Sequence, residues 1–262
     1  QSNTGEQRHM RVCENVRGRY RFIEGIAAYS GGIVAEQGHE VAHVALHQAV
    51  PWREGFEIID AYLASEGHPR QALCGTQLRC PEPYSFGGFD AYNEEYRSVL
   101  DAWDVCVDGL NPVARSNVAP VLDPPDCQSL YAFSYVRPAS QNAEPSFVVA
   151  GSGEYDEATG IHRDGDASAD GLRAKASYVM DVMSARLTAL GVGWSDVTRT
   201  NVYTAHATHG LLDVVWQGMG AASEHGVHHF YTRPPIVGIE FEMDLRGVAH
   251  EHHLRAGGAA AS

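Results

Sequence analysis

Positive charge is scarce in this chain. Its 262 residues carry 19 Lys and Arg against 33 Asp and Glu, a net charge of −14. Nucleic-acid binding needs a basic patch to meet the phosphates, so no nucleic-acid partner is expected. Long apolar runs are missing too, and nothing approaches a membrane span, so no membrane partner is expected either. Residues 1–11 are polar, unlike the apolar core of a signal peptide. The five cysteines (Cys13, Cys74, Cys80, Cys106, Cys127) are odd in number and lack zinc-ligand spacing. They read as buried or idle thiols in a reducing cytoplasm rather than as a disulfide framework. There is no Rossmann fingerprint, no P-loop and no Gly-x-Ser-x-Gly elbow. What is present is ordinary for a globular protein: a hydrophobic content of 44%, and length for one large or two small domains.

In the first half, residues 20–35 alternate as two short strands around Gly25, with the small-residue turn Ser30-Gly31-Gly32 open to close approach. Residues 51–67 predict an amphipathic helix with Phe56, Ile59, Tyr62 and Leu63 on one stripe and Gly67 as its C-cap. A strand over 72–80, a helix over 89–105, a strand holding Arg115 and a strand over 128–136 follow. Residues 138–145, with two prolines near by and no apolar period, form a linker. The same order then repeats: a strand at 147–151, a strong helix at 170–190, a strand to 204, a helix at 211–225 and a strand over 236–245. A repeat at this length means two copies of one domain. The expected fold class is α+β, each copy a mixed, largely antiparallel sheet with two helices on one face. The expected boundaries are a flexible segment 1–19, a first domain 20–137, the linker 138–145, a second domain 146–249 and a flexible tail 250–262.

His39-Glu40-Val41-Ala42-His43 matches the HExxH zinc signature in form, and His47 lies four residues on. On a helix, His39 and His43 would share a face and Glu40 would serve as base. Its flanks alternate with period two, which suits a strand, and the chain holds 14 histidines, so no metal site is assigned.

Arg115 arrives from a Pro-bounded loop into an apolar, strand-like run beside Ser116. A guanidinium fork there matches the two oxygens of a substrate carboxylate; a structural or solvated arginine is the plain alternative. The pattern Phe89-x-x-x-Asn93-x-x-Tyr96, a helix, then Asn111-Pro112-x-Ala114-Arg115-Ser116-x-Val118 resembles the RidA/YjgF family of enamine/imine deaminases. The resemblance runs from about residue 20 to 248 and implies chorismate-mutase-like domains. It implies that Arg115 binds the substrate carboxylate, that Ser30 and Asn93 help hold the substrate, and that Tyr20 is the pocket tyrosine. In the second copy Glu240 matches the family's late acid, and Arg233 stands about where Arg115 stands in the first. Since the family's sites lie between neighbouring subunits of a trimeric ring, a composite site from Arg115 and Glu240 is implied, in a homo-oligomer that is a trimer or a multiple of one. The implied activity is a cofactor-free hydrolytic deamination of a small carboxylated enamine or imine, giving ammonia and a keto acid. Two alternatives stay open: a non-catalytic carboxylate-binding or stress protein on the same scaffold, and a lyase or hydrolase acting on a cyclic carboxylic acid.

Overall fold

A computed structural model of the chain describes residues 10–255. Three short strands come first: β1 (Val12–Asn15), β2 (Tyr20–Ile23) and β3 (Gly32–Ala35). The first copy then runs β4 (His39–Pro51), α1 (Trp52–Ser65), β5 (Leu73–Arg79), α2 (Phe86–Ala102), β6 (Ala114–Pro120) and β7 (Ser129–Pro138). The second begins with β8 (Phe147–Gly153) and a small hairpin, β9 (Tyr155–Asp156) and β10 (Gly160–Ile161). It goes on through α3 (Ala169–Leu190), β11 (Arg199–Thr204), α4 (Leu212–Met219), β12 (His228–Arg233) and β13 (Glu242–Gly247), and β14 (His250–Leu254) closes the described chain.

The two copies have one topology. β4 pairs antiparallel with β7, β7 antiparallel with β5, and β5 parallel with β6. In the same way β8 pairs antiparallel with β13, β13 antiparallel with β11, and β11 parallel with β12. The copies meet edge to edge where Thr232 and Arg233 of β12 face Pro120 and Ala119 of β6. β1, β2 and β3 form an antiparallel run, and β3 pairs with β8 through Gly32–Val149, Ile33–Val148 and Val34–Phe147. The strands that precede the first copy therefore complete the sheet of the second. At the far edge β14 adds to β4 in parallel.

Each helix pair covers the outer face of its own half-sheet. Phe56, Ile59 and Leu63 of α1 join Tyr96 and Leu100 of α2 against Leu78, Leu130 and Phe133. Leu172, Val179, Met183 and Leu187 of α3 lie against Phe147, Val202, Met243 and Leu245. These spacings of three and four put each set on one helical face, and burying such a side chain contributes about 1.5–3 kcal/mol. A third cluster, with Tyr20, Phe22, Ile33, Val41, Cys74, Ala114, Val136 and Ala150, binds the first sheet to β2, β3 and β8.

Several expectations need correction. Part of the segment 1–19 is ordered: Val12–Asn15 is a strand, and buried Asn15 accepts a hydrogen bond from the Gly18 amide at 3.0 Å. Part of the tail is a strand as well, since His250–Leu254 finds the open edge of β4; the remainder of those two segments, 1–9 and 256–262, lies outside the described residues. α2 begins at Phe86 rather than 89, because the Ser85 side chain caps it by accepting from the Gly88 amide at 3.2 Å. The last strand begins at Glu242, not 236: residues 234–241 run irregularly, with Gly238 at φ +94°. The HExxH run is the strand β4, where a four-residue step is roughly 13 Å, too far for His39 and His43 to share one ion. His43 Nδ1 instead lies 2.9 Å from Ser134 Oγ, and among the described residues no three His, Cys, Asp or Glu side chains gather as a metal would need.

Candidate active site

Strand alternation decides where Arg115 goes. Ala114 enters the inter-sheet cluster, so Arg115 turns the other way, toward α2. On α2, Phe89, Tyr92, Asn93 and Tyr96 stand at helical spacings of three and four and present one face. The Arg115 Cζ lies 4.8 Å from the Tyr96 ring centroid, 5.4 Å from Phe89 and 5.6 Å from Tyr92. Tyr29, from the loop before β3, adds a fourth ring at 4.5 Å. Aromatic faces stabilise a desolvated guanidinium but accept few of its protons. Arg115 donates through Nη2 to Asn93 Oδ1 at 2.6 Å, while its buried Nη1 has no partner. A buried, unsatisfied charged donor is costly and calls for a partner.

That guanidinium lines a cavity of about 600 Å³ between the copies. One wall comes from the first copy (Phe89, Asn93, Arg115). A second comes from the second copy (Gly151, Arg186, Ile236, Ile239, Glu242), and the loop carrying Tyr29 and Ser30 closes a third side. The Ser30 amide donates to the Val113 carbonyl at 2.9 Å, which ties this loop to β6. Its hydroxyl is buried and unpartnered.

Glu242 is 5% exposed. Burial, aided by the nearby carboxylates Asp244 and Glu154, pushes its pKa well above the usual carboxylate range; Arg115 and Arg186 pull the other way and lose. The neighbouring Asp244 is held as an acceptor by Ser116 Oγ at 2.5 Å, Tyr203 OH at 2.8 Å and Asn201 Nδ2 at 2.7 Å. Gly151 lets this carboxyl group of Glu242 lie where it does, because a Cβ there would stand 2.3 Å from Glu242 Oε1 and force it to shift. The start of β13 is fixed by buried Glu154. It forms an ion pair with Lys175 at 3.0 Å and accepts from the amides of Glu240 at 2.7 Å and Phe241 at 3.1 Å.

Of the residues singled out in the sequence, Arg115, Ser30 and Asn93 come together in this cavity. Tyr20 does not: it is fully buried in the inter-sheet cluster, and its hydroxyl donates to the Leu73 carbonyl at 2.8 Å. Tyr29 lines the cavity instead, and its direct adjacency to Ser30 was the available signal. Glu240 lies before β13, with Oε2 2.7 Å from His206 Nε2, and does not line the cavity. The two acids would share a face only if the strand alternation reached back to 240, and the Gly238 turn prevents that. Arg233 is an exposed residue at the end of β12. By register its correspondence to Arg115 fails. Arg115 lies inside the β5–β6 pairing, beside Thr76, whereas Arg233 lies past Tyr231, the last β12 residue paired with β11. Arg186 carries no motif in the sequence; it is one polar residue on an otherwise ordinary amphipathic helix.

Two copies of one β-α-β-α-β-β unit, with an arginine and a buried carboxyl group facing a pocket between them, define a tandem α+β protein whose candidate site lies between its copies. More narrowly, the chain belongs to the 2-aminomuconate deaminase CnbZ family, whose model matches residues 12–252. It is 39% identical over 242 residues to the 2-amino-5-chloromuconate deaminase of Comamonas testosteroni, covering 89% of this chain and 95% of that protein. It is thus an enzyme acting on C–N bonds, a deaminase. Among solved structures it is similar to a chorismatase, with 12% identity, a TM-score of 0.49 and coverage of 92% of this chain and 80% of that one. It is also similar to a YjgF/YER057c/UK114 family member from Mycobacterium tuberculosis, with 18% identity, a TM-score of 0.31 and coverage of 44% and 83%. No helix among the described residues is long and apolar enough to cross a membrane.

Proposed function

We propose that this chain deaminates a small carboxylated enamine or imine of the 2-aminomuconate type by hydrolysis, releasing ammonia and a keto acid. The relatives' names supply the substrate type. The observation that carries the chemistry is the presence, in one cavity, of the unpartnered Arg115 Nη1 and of a buried Glu242 carboxyl group whose pKa burial raises well above the usual range.

Arg115 grips the carboxylate next to the amino-bearing carbon through a charge-assisted pair, with Asn93 setting the plane of the fork. Glu242 donates its proton to the enamine carbon, and the electron pair of the C=C bond forms the new C–H bond. The iminium that results is offset by the carboxylate just formed. Water adds to the iminium carbon and gives a proton back to Glu242. Proton transfer to nitrogen then lets the carbinolamine expel ammonia, and a C=O bond remains. Enamine plus water becomes keto acid plus ammonia, using protein side chains alone. The unpartnered Ser30 hydroxyl is placed to hold the amino group or the incoming water.

The test is ammonia release from 2-aminomuconate generated in situ. Glu242→Gln, which keeps the shape and removes the transferable proton, is expected to lower kcat by about 10²- to 10⁴-fold. Arg115→Met is expected to raise KM and lower kcat together. A folded wild-type protein that does not accelerate release, or a Glu242→Gln variant of unchanged rate, would sink the reading.

A further inference from the structure

A second guanidinium enters the cavity from the opposite wall. Arg186, on α3, reaches across β8 and donates through Nη1 to the Ala150 carbonyl at 2.9 Å. Among the described residues it has no carboxylate within ion-pair distance, nor does Arg115. Both arginines line this cavity, and both lie near enough to the Glu242 carboxyl and the Tyr29 hydroxyl to act on them. The Arg186 side chain passes beside Gly31, where a Cβ would stand 3.7 Å from the Arg186 Nε. The wall between them is apolar, with Phe89, Ile236 and Ile239 packed together. Acidic side chains line the cavity as well, at Glu24, Asp90, Asp156 and Glu157. Asp90 and Glu157 are exposed and screened by water, and Glu24 is paired with Arg11 at 3.0 Å.

An enamine with one carboxylate needs one arginine. We propose that Arg186 is a specificity-determining residue that takes the far carboxylate of a dicarboxylate substrate, while Arg115 holds the carboxylate beside the reacting carbon. The apolar wall between them suits an unsaturated carbon chain. This inference rests on the proposed deaminase reading for which end reacts, but the two-ended anion site can be tested without any reaction.

The probes are muconate, a six-carbon diene with a carboxylate at each end, and sorbate, the same diene with a methyl group at one end. Calorimetric titration of the whole chain is expected to show muconate bound at least about tenfold more tightly, the scale of one charge-assisted hydrogen-bonded pair. Arg186→Gln is expected to bring the ratio close to one, and Arg186→Lys, which keeps a cation, to leave it in between. Sorbate titration of the same variants reports on the Arg115 end, so a misfolded protein is recognised because it binds neither probe. Equal binding of both probes by the wild type, or a preference that survives in Arg186→Gln, overturns the proposal. A preference that needs Arg186 in a protein releasing no ammonia from 2-aminomuconate would keep the dicarboxylate site and remove the deaminase reading. Ammonia release without a muconate preference would do the reverse.

Discussion

Glu242 links stability and activity at the level of a single residue. Its pKa in the folded chain lies well above the unfolded value because burial disfavours the charged form. Such a group contributes stability that is complete below the ordinary carboxylate range and is lost as pH rises through the raised folded value. Thermal unfolding followed against pH should therefore show the wild type losing stability toward alkaline pH, with that part of the slope absent in Glu242→Gln. The rate of ammonia release should fall over the same window, since the proton to be donated is the one being lost. Equal slopes for the two proteins would contradict the assignment. Gly151→Ala tests the same contact from the other side. A methyl group 2.3 Å from Glu242 Oε1 must displace the carboxyl group or β8, so activity should drop more than tenfold in a protein that still folds. Here the sequence was legible only in part. Arg115, Asn93 and Ser30 could be found because they sit in short ordered motifs, whereas Glu242 could be told from Glu240 only by knowing where the strand begins.

Strands β1 to β3 show how an element can belong to one copy by sequence and to the other by pairing. Ile33 has no exposed surface and joins the inter-sheet cluster, while its backbone pairs with Val148. Ile33→Ala should cost about 2–5 kcal/mol in urea unfolding. It should also weaken catalysis beyond the loss of folded protein, because the loop with Tyr29 and Ser30 leads directly into this strand. A variant with full activity per folded molecule would separate the two roles. Alternation identified β4 as a strand despite its zinc-like spelling, and apolar spacing identified α1 and α3. Strand exchange left no such trace, since β3 has the same alternation whichever sheet it joins. β14 was missed for a related reason: a polar His-rich segment gains its structure from the open edge of β4 rather than from its own pattern.

Among the described residues twelve of the fourteen strands join one sheet, in which neither half is finished without the other. Chemical unfolding should accordingly be a single transition. Trp52 and Trp103 report on the first copy, and Trp194 and Trp216 on the second. Variants that keep tryptophan in only one copy should share one midpoint, and two separated midpoints would show that the copies fold independently. The repeat itself was legible because helix and strand periods recur in order. Its asymmetry was less so: Arg115 lies inside the β5–β6 pairing while Arg233 lies beyond the β11–β12 pairing, and β13 opens on Glu242 where β7 opens on Ser129. That asymmetry has a genetic meaning. In a ring of identical subunits one codon writes the same residue into every pocket, so no wall can change alone. Here the wall with Arg115 and the wall with Glu242 are encoded separately, and a single substitution can reshape one while the other stays as it was.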